Sequence, residues 1–496
     1  MPAPAPLRQG PDFNGDGYSD LAVPGSDYDS DSDYPYWVVN VILGSPKGLT
    51  AKRNQLWSQL DFPDHASPRH SLSSTAAGDF DGDGFTDLAL GTFPTGPDVL
   101  PLDGAVRILY GSPAGLQRTR SRYFTSKSPG LPRVEEPEDD SFGTSLVAAN
   151  FGRTQQADLA IGAKYRRSGG QVTVLYGSAS GLTAQDSQLW SQATPGVPGV
   201  QRPSDEFGTS LAAGRFAGSS YADLAVGVPQ DGGKRGGEGP GAVNIIYGSS
   251  NGLTARGSQL WSQRSRGIKG KPADGEQFGS DLAAGHFAGR DTADLAVGVR
   301  AGTDAGEYRG AVNVLYGSSK GLSARGDQLW TPRSKGLAGK RYLDTFFGEA
   351  LTVGNFGRDH RGGTFDDLAV RASTDYEKNG TGGSLGVVLV IYGSSRGLAV
   401  KGSQAWRWDK AGVKGNPSED SFGDTLVAAD FGNGPRRSGY ADLAAGDALF
   451  PAGSTFGAVS VIPGAKTGLS ARGDQLWTIQ KLNRRVPRFF AEESER

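Results

Sequence analysis

Two short stretches place carboxylates at alternate positions: DFNGDGYSD (12–20) and DFDGDGFTD (79–87). In the second, Asp79, Asp81 and Asp83 occupy positions one, three and five, with Asp87 at position nine. The first repeats the arrangement as Asp12, Asn14, Asp16 and Asp20. Like charges this close repel one another, so either something positive sits in the loop or the loop is a solvated acidic turn. Alternate oxygens on a tightly coiled loop can converge on one hard cation at about 2.3–2.6 Å, which is calcium chemistry. The carbonyls of Tyr18 and Phe85 are placed to contribute, and Gly82 and Gly84 permit the sharp backbone path. Mg²⁺ demands stricter octahedral geometry and more water, and ranks second. An EF-hand would need Glu at position twelve and a following helix. Val23 and Leu90 stand at that position and strand-like runs follow, so these are strand–loop–strand sites. Two bound Ca²⁺ ions are expected, the four-carboxylate second loop holding its ion more tightly than the first.

The elements that carry these loops repeat. The phrase D-L-A-V-G or a close variant begins at Asp20, Asp87, Asp158, Asp223, Asp294, Asp367 and Asp442, at intervals of 65 to 75 residues. Each copy leads to an apolar run closing in a Gly-Ser or similar turn, as in GAVNIIYGSSNGL (241–253). Nine residues beyond the last Gly of the turn comes Trp57, Trp190, Trp261, Trp330, Trp406 or Trp477, with Phe124 in the second unit. Five units open with Phe-Gly, at Phe142, Phe207, Phe278, Phe347 and Phe422. The alternation in A-V-N-V-L-Y, rich in β-branched and aromatic residues, fits a strand and not a helix. Each unit therefore holds four short strands of the types SLAAG, DLAVG, AVNVLYG and SQLW.

Seven such units read as an all-β, seven-bladed β-propeller of four-stranded antiparallel blades, a ring that hides its edges by radial repetition. The blades fall at approximately 1–62, 63–130, 131–195, 196–265, 266–335, 336–410 and 411–478. Small residues in the first two strands suit the crowded axis, and Trp and Tyr fill the widening space between blades. APLRQGPDF (5–13) matches an innermost strand poorly, so blade 1 is expected to be ragged there. The tail 479–496 is expected either to latch across the blade 7–blade 1 junction through Phe489 and Phe490 or to fray.

On these residues the chain resembles the FG-GAP repeat family, the propeller of integrin α-subunits and of many secreted bacterial proteins. FGTSLAAGRFAGSSYADLAVGVP (207–229) and GDFDGDGFTDLALG (78–91) carry the resemblance. It implies calcium in loops on one face of the ring and ligand contact on the other.

Loops three to seven depart from the motif: NFGRTQQAD (150–158), RFAGSSYAD (215–223), HFAGRDTAD (286–294), NFGRDHRGGTFDD (355–367) and DFGNGPRRSGYAD (430–442). Their inner carboxylates are mostly gone and no calcium is expected in them. The position-nine Asp survives in all seven, which predicts a second role accepting backbone N–H bonds. Each degenerate loop also gains an arginine: Arg153, Arg215, Arg290, Arg358 or Arg361, and Arg436 or Arg437. A guanidinium standing in for the metal beside that Asp is one expectation; a solvated arginine is the other.

Other features read as structure or as weaker sites. GSSNG, GSSKG and GSSRG match a hydrolase elbow but join strand to strand, so they read as turns. His65, His70, His286 and His360 show no metal-ligand spacing. SDYDSDSDYPYW (26–37) offers Asp27, Asp29, Asp31, Asp33, Tyr34, Tyr36 and Trp37 as ligand-binding candidates on the face opposite the calcium loops. A flexible acidic loop is the simpler reading. Acidic residues preceding Phe-Gly, among them Asp205, Glu206 and Glu276, would ring the same face.

The bulk properties set the outer bounds. The chain has 496 residues, 76 of them Gly, no Cys and a formal net charge of −2. That excludes disulfides and thiolate metal sites and argues against nucleic acid as a partner. No apolar stretch reaches the roughly 18 residues of a membrane span. The opening MPAPAPLRQG carries no signal-peptide pattern and reads like the start of a mature secreted chain. A secreted or cell-surface, monomeric, non-catalytic propeller binding a protein or glycan ligand is expected. A lectin with pockets between blades, or a polysaccharide lyase or hydrolase on the same scaffold, is the alternative.

Overall fold

Apolar residues alternating along AVNVLY (311–316) build a strand that pairs antiparallel with DLAVGV (294–299) on one side and SARGDQLW (323–330) on the other. With Phe278–Gly285 inside them, these make one four-stranded blade. The computed structural model describes residues 10–27, 36–62, 69–95, 104–132, 141–164, 168–233, 238–289, 291–300, 303–304, 307–308, 310–339, 346–358, 365–378, 381–408, 412–414, 422–432, 439–446 and 458–478. Within them such a four-stranded sheet is found six times in all, and the first blade shows three strands, Leu21–Asp27, Tyr36–Leu43 and Thr50–Ser58. The seven sheets form a closed ring, a seven-bladed all-β propeller. Among the described residues the one helical element is a 3₁₀ turn, Gln59–Asp61.

The second and third strands of blade 6, Asp367–Lys378 and Thr381–Tyr392, run longer than their counterparts and stay paired out to Lys378 and Thr381. Blade 5 carries a small extra hairpin, Thr303–Asp304 with Glu307–Tyr308, at the corresponding place. Both lie at the end of the blade away from the aspartate loops, because antiparallel strands put the connection from strand two to strand three opposite that from strand one to strand two.

The first strands line the axis and bond to one another around it. Ser74 Oγ donates to the Gly143 carbonyl at 2.8 Å, Ser145 to Gly208 at 2.6 Å and Ser210 to Gly279 at 2.7 Å. At the next junction Asp281 accepts from the Leu351 N–H instead, at 2.7 Å. The core lies between blades as well as within them. In every blade the residue at position two of the inter-strand loop is a fully buried Phe: Phe13, Phe80, Phe151, Phe216, Phe287, Phe356 and Phe431. Each is wedged between neighbouring sheets, where burying an aromatic side chain excludes the most water per residue.

Closure of the ring follows the rule of the other junctions. The residue before each position-nine Asp donates its N–H to the position-one carbonyl of the preceding blade. The pairs are Thr86 to Asp12, Ala157 to Asp79, Ala222 to Asn150, Ala293 to Arg215, Asp366 to His286, Ala441 to Asn355 and Ser19 to Asp430. The last of these joins blade 7 to blade 1. A cluster of Leu21, Ile42, Leu49, Phe431, Val461 and Trp477 fills the same junction. The tail expected to act as a latch, with Phe489 and Phe490, lies outside the described residues.

Candidate metal centre

The second loop leaves the first strand of blade 2 at Gly78 and enters the second strand at Asp87. Between them the carboxylates fold the backbone around themselves. Asp79 accepts N–H bonds from Gly82 at 2.6 Å and Gly84 at 3.1 Å, Asp81 from Asp83 at 3.2 Å, and Asp83 from Phe85 at 3.0 Å. Gly82 and Gly84 have φ of 75° and 92°, a region closed to most side chains. Asp87 is fully buried and accepts from Phe80 at 2.7 Å and from Gly111, at the start of the strand-three turn, at 2.8 Å.

The side chains converge as a result. Asp79, Asp81 and Asp87 each place a carboxylate oxygen within 4.8 Å of the others. Two oxygens bound to one calcium at about 2.4 Å cannot lie farther apart than this, so the donor set fits the ion by both chemistry and spacing. Electrostatics point the same way. Burial, opposed by the Phe80 and Gly111 N–H bonds, pushes Asp87 up to about 7, and burial also raises Asp79. A divalent cation reverses that local bias toward the proton.

The first loop repeats the scaffold with a weaker donor set. Asp12 accepts from Asp16 at 3.1 Å and Gly17 at 2.8 Å, Asp16 from Tyr18 at 3.0 Å, and Asn14 both accepts from Asp16 N–H and donates to its carboxylate. Asp20 is buried, bonded by Phe13 and Gly44 at 2.8 Å each, and raised by burial to about 7. Asp12, Asp16 and Asp20 do not form a three-carboxylate group as tight as that of the second loop. Asn14 replaces the inner carboxylate there.

In all seven blades the position-nine Asp bridges two backbone segments. One oxygen takes an N–H from the start of its own loop. The other takes the N–H of the glycine after strand three: Gly44, Gly111, Gly177, Gly248, Gly317, Gly393 or Gly464. The aspartate thus sews the loop to the strand 3–strand 4 turn whether or not inner carboxylates remain.

Two of the loop arginines, Arg153 and Arg358, sit over the third-strand tyrosines of their blades. Arg153 donates to the carbonyls of Asn251 at 3.1 Å and Asp186 at 2.6 Å, with its guanidinium 3.9 Å over the Tyr176 ring. Arg358 lies 5.0 Å over Tyr392. Arg290, Arg361, Arg436 and Arg437 lie outside the described residues.

Of the acidic stretch in blade 1, Asp29, Asp31, Asp33 and Tyr34 lie outside the described residues, and Asp27 ends a strand paired with Tyr36. Tyr36 and Trp37 are core residues, not ligand contacts: Trp37 is 3 % exposed and packs 6.0 Å from Phe62. Asp205 and Glu276, expected to ring the open face, are buried as well. Asp205 caps the Arg202 N–H at 2.6 Å, and burial raises it to about 6. The Gly-Ser turns are structural: Ser249, Ser318 and Ser394 each tie the turn by donating to the carbonyl of its closing glycine.

A recurring element that motif reading passed over is the glutamine two residues before the fourth-strand Trp. Gln55, Gln188, Gln259, Gln328, Gln404 and Gln475 each donate to a leucine carbonyl in the next blade's turn, Gln475 reaching Leu49 across the closure. The Tyr247 and Tyr316 hydroxyls donate to the same glutamines at 2.8 and 2.6 Å. The signal was present in the repeated Q-L-W phrase, whose Gln recurs in six of the seven units.

Residues 71–96, which contain the second loop, match the FG-GAP repeat family model. Integrin alpha-PS2 of Drosophila melanogaster is 27 % identical over 267 residues, 52 % of this chain and 17 % of that protein. Integrin alpha-7 of Mus musculus is 33 % identical over 171 residues, 33 % of this chain and 13 % of that protein. Phosphatidylinositol-glycan-specific phospholipase D of Bos taurus is 29 % identical over 179 residues, 34 % of this chain and 20 % of that protein. The matched region thus spans a fifth or less of these relatives. Among solved structures, a rhamnogalacturonan lyase of Bacillus licheniformis superposes with a TM-score of 0.37 at 12 % identity, over 91 % of this chain and 70 % of that one.

Proposed function

We propose that this chain, an FG-GAP β-propeller, is a calcium-stabilised, non-catalytic binding module that works outside the cell. Calcium would be held by Asp79, Asp81, Asp83 and Asp87 with the Phe85 carbonyl, and by Asp12, Asn14, Asp16 and Asp20 with that of Tyr18. The observation that carries the reading is the convergence of Asp79, Asp81 and Asp87 within 4.8 Å on a loop whose backbone is organised by those same side chains. When bound, the ion would add positive charge among the clustered carboxylates. The residues do the rest, Asp87 and Asp20 tying the loops to the neighbouring turns.

The face opposite these loops is the proposed surface for a protein or glycan ligand. Leu60, Phe93, Val200 and Phe346, four of the seven exposed large apolar side chains among the described residues, lie in connections or strand ends on that face. None of the seven lies in the aspartate loops. Such residues supply contact area once a partner covers them. The integrin α relatives support an extracellular setting, and among the described residues no helix is long and apolar enough to cross a membrane.

Thermal unfolding in millimolar calcium, in magnesium and in chelator tests the first half of the reading. Calcium at one hundred times its Kd is expected to add about 2.7 kcal/mol per site, with magnesium adding less. Identical melting in calcium and chelator would reject calcium as a structural ligand. Capture of glycans and extracellular proteins on the immobilised chain, with and without chelator, tests the second half.

A further inference from the structure

One side chain from outside the second loop reaches into it. Arg120, on the fourth strand of blade 2, sets Nη2 2.6 Å from Asp81 Oδ2 and Nη1 3.7 Å from Asp83 Oδ2. Its guanidinium also sits 5.0 Å over the Tyr110 ring. The Asp81 side chain is only 2 % exposed and that of Arg120 is 45 % exposed, so the pair joins a buried carboxylate to a guanidinium at the surface. Asp81 is also one of the three convergent carboxylates. A protein cation and a divalent cation therefore meet at the same buried carboxylate.

The sequence repeats supply a second observation. Five residues after the last glycine of the strand 3–strand 4 turn, blades 1 to 7 carry Arg53, Arg120, Asp186, Gly257, Gly326, Gly402 and Gly473. Arginine stands there in the two blades whose loops keep their carboxylates and in no other. In two of the five degenerate blades, the seat over the third-strand tyrosine is filled from the loop, by Arg153 over Tyr176 and Arg358 over Tyr392. In blade 6 the glycine leaves room for it: a Cβ on Gly402 would lie 2.2 Å from Arg358 Nη1. Each of these three blades thus has one guanidinium over its tyrosine, and only in blade 2 does it come from the fourth strand and engage loop carboxylates.

We infer that Arg120 is a built-in competitor for the divalent ion of the second loop. Its guanidinium keeps Asp81 and Asp83 charge-compensated, and it must release Asp81 before that carboxylate can serve a divalent cation. Arg120 thereby sets the loop's affinity below the level four carboxylates alone would give. The inference rests on the calcium reading of this loop.

Calcium titration calorimetry of the full chain, wild type beside Arg120→Gln, tests it. Glutamine retains a hydrogen-bonding side chain and removes the charge. Losing one charge-assisted bond to a buried carboxylate corresponds to about a tenfold change. One of the two binding constants is therefore expected to rise about tenfold while the other stays put. Adding Asp79→Asn should erase the gain, assigning it to the second loop, and Arg120→Lys, which keeps the charge, should stay near wild type. Thermal melts establish that each variant is folded. Two-site uptake with no rise in Arg120→Gln overturns the inference and leaves the calcium reading standing. Uptake at the second loop in Arg120→Gln alone supports it in its strongest form. No uptake there by either protein overturns both.

Discussion

Asp158 and Asp87 do the same mechanical work in different company. Each takes two backbone N–H bonds from a loop and a turn, yet only Asp87 has inner carboxylates beside it. Replacing Asp158 by Asn exchanges one charged acceptor for an amide that meets N–H groups with N–H groups. Urea unfolding should show a loss of about 1–3 kcal/mol, with calcium uptake unchanged. Asp87→Asn should lose both stability and calcium binding at the second loop. The gathering of Asp79, Asp81 and Asp87 was legible because the carboxylates of the second loop alternate in a short span. The Arg120 contact was not, because it arrives from a strand more than thirty residues downstream, and no local spacing announces which strand-four side chain leans over a loop.

The turns and clips act as elements. Gly84 has φ of 92° and open space around its α-carbon, so Gly84→Ala should cost only the backbone strain of that conformation, about 1–2 kcal/mol. Gly111→Ala should cost more, because its Cβ would sit 2.4 Å from the Thr86 carbonyl; chemical denaturation ranks the two. Gln475→Ala removes both the bond it donates to the Leu49 carbonyl and the one it accepts from the Leu49 N–H. A loss of about 1–3 kcal/mol is expected, accompanied by faster amide exchange in blades 1 and 7. Gln259→Ala, which breaks the equivalent pair with Leu322, should give a similar stability loss with exchange raised in blades 4 and 5. Equal protection of blades 1 and 7 in wild type and Gln475→Ala would show that closure does not depend on this clip.

At the scale of the whole ring, buried aspartates make stability depend on pH. Burial, outweighing the backbone N–H bonds, raises Asp158 and Asp442 to about 7 and Asp223 to about 6, from 3.8. The folded chain then holds more protons than the unfolded one between these values. Their contribution is fully present below about pH 4 and is lost as pH rises through about 7. Metal-free protein in chelator is expected to lose stability from pH 4 to 7, with a shallower slope in Asp158→Asn. Calcium should oppose the trend, since it favours ionised Asp20 and Asp87, also raised to about 7 by burial. Guanidinium or urea midpoints across that range, with and without calcium, measure both effects.

The repeat was decided by the sequence alone. Seven Asp-Leu-Ala phrases, a turn and an aromatic at constant offset leave few ways to bury four short strands other than a ring, because each unit must cover its neighbour's apolar face. The alternate carboxylates likewise wrote their chemistry locally. Only the folded ring settled which acidic and aromatic residues face outward: Trp37, Asp205 and Glu276 look like surface features in the chain and are buried in the molecule. It also decided how the circle closes, through Ser19 on Asp430 and Gln475 on Leu49. The closure depends on contacts between residues hundreds of positions apart, and geometry around a closed ring, not periodicity along it, brings them together.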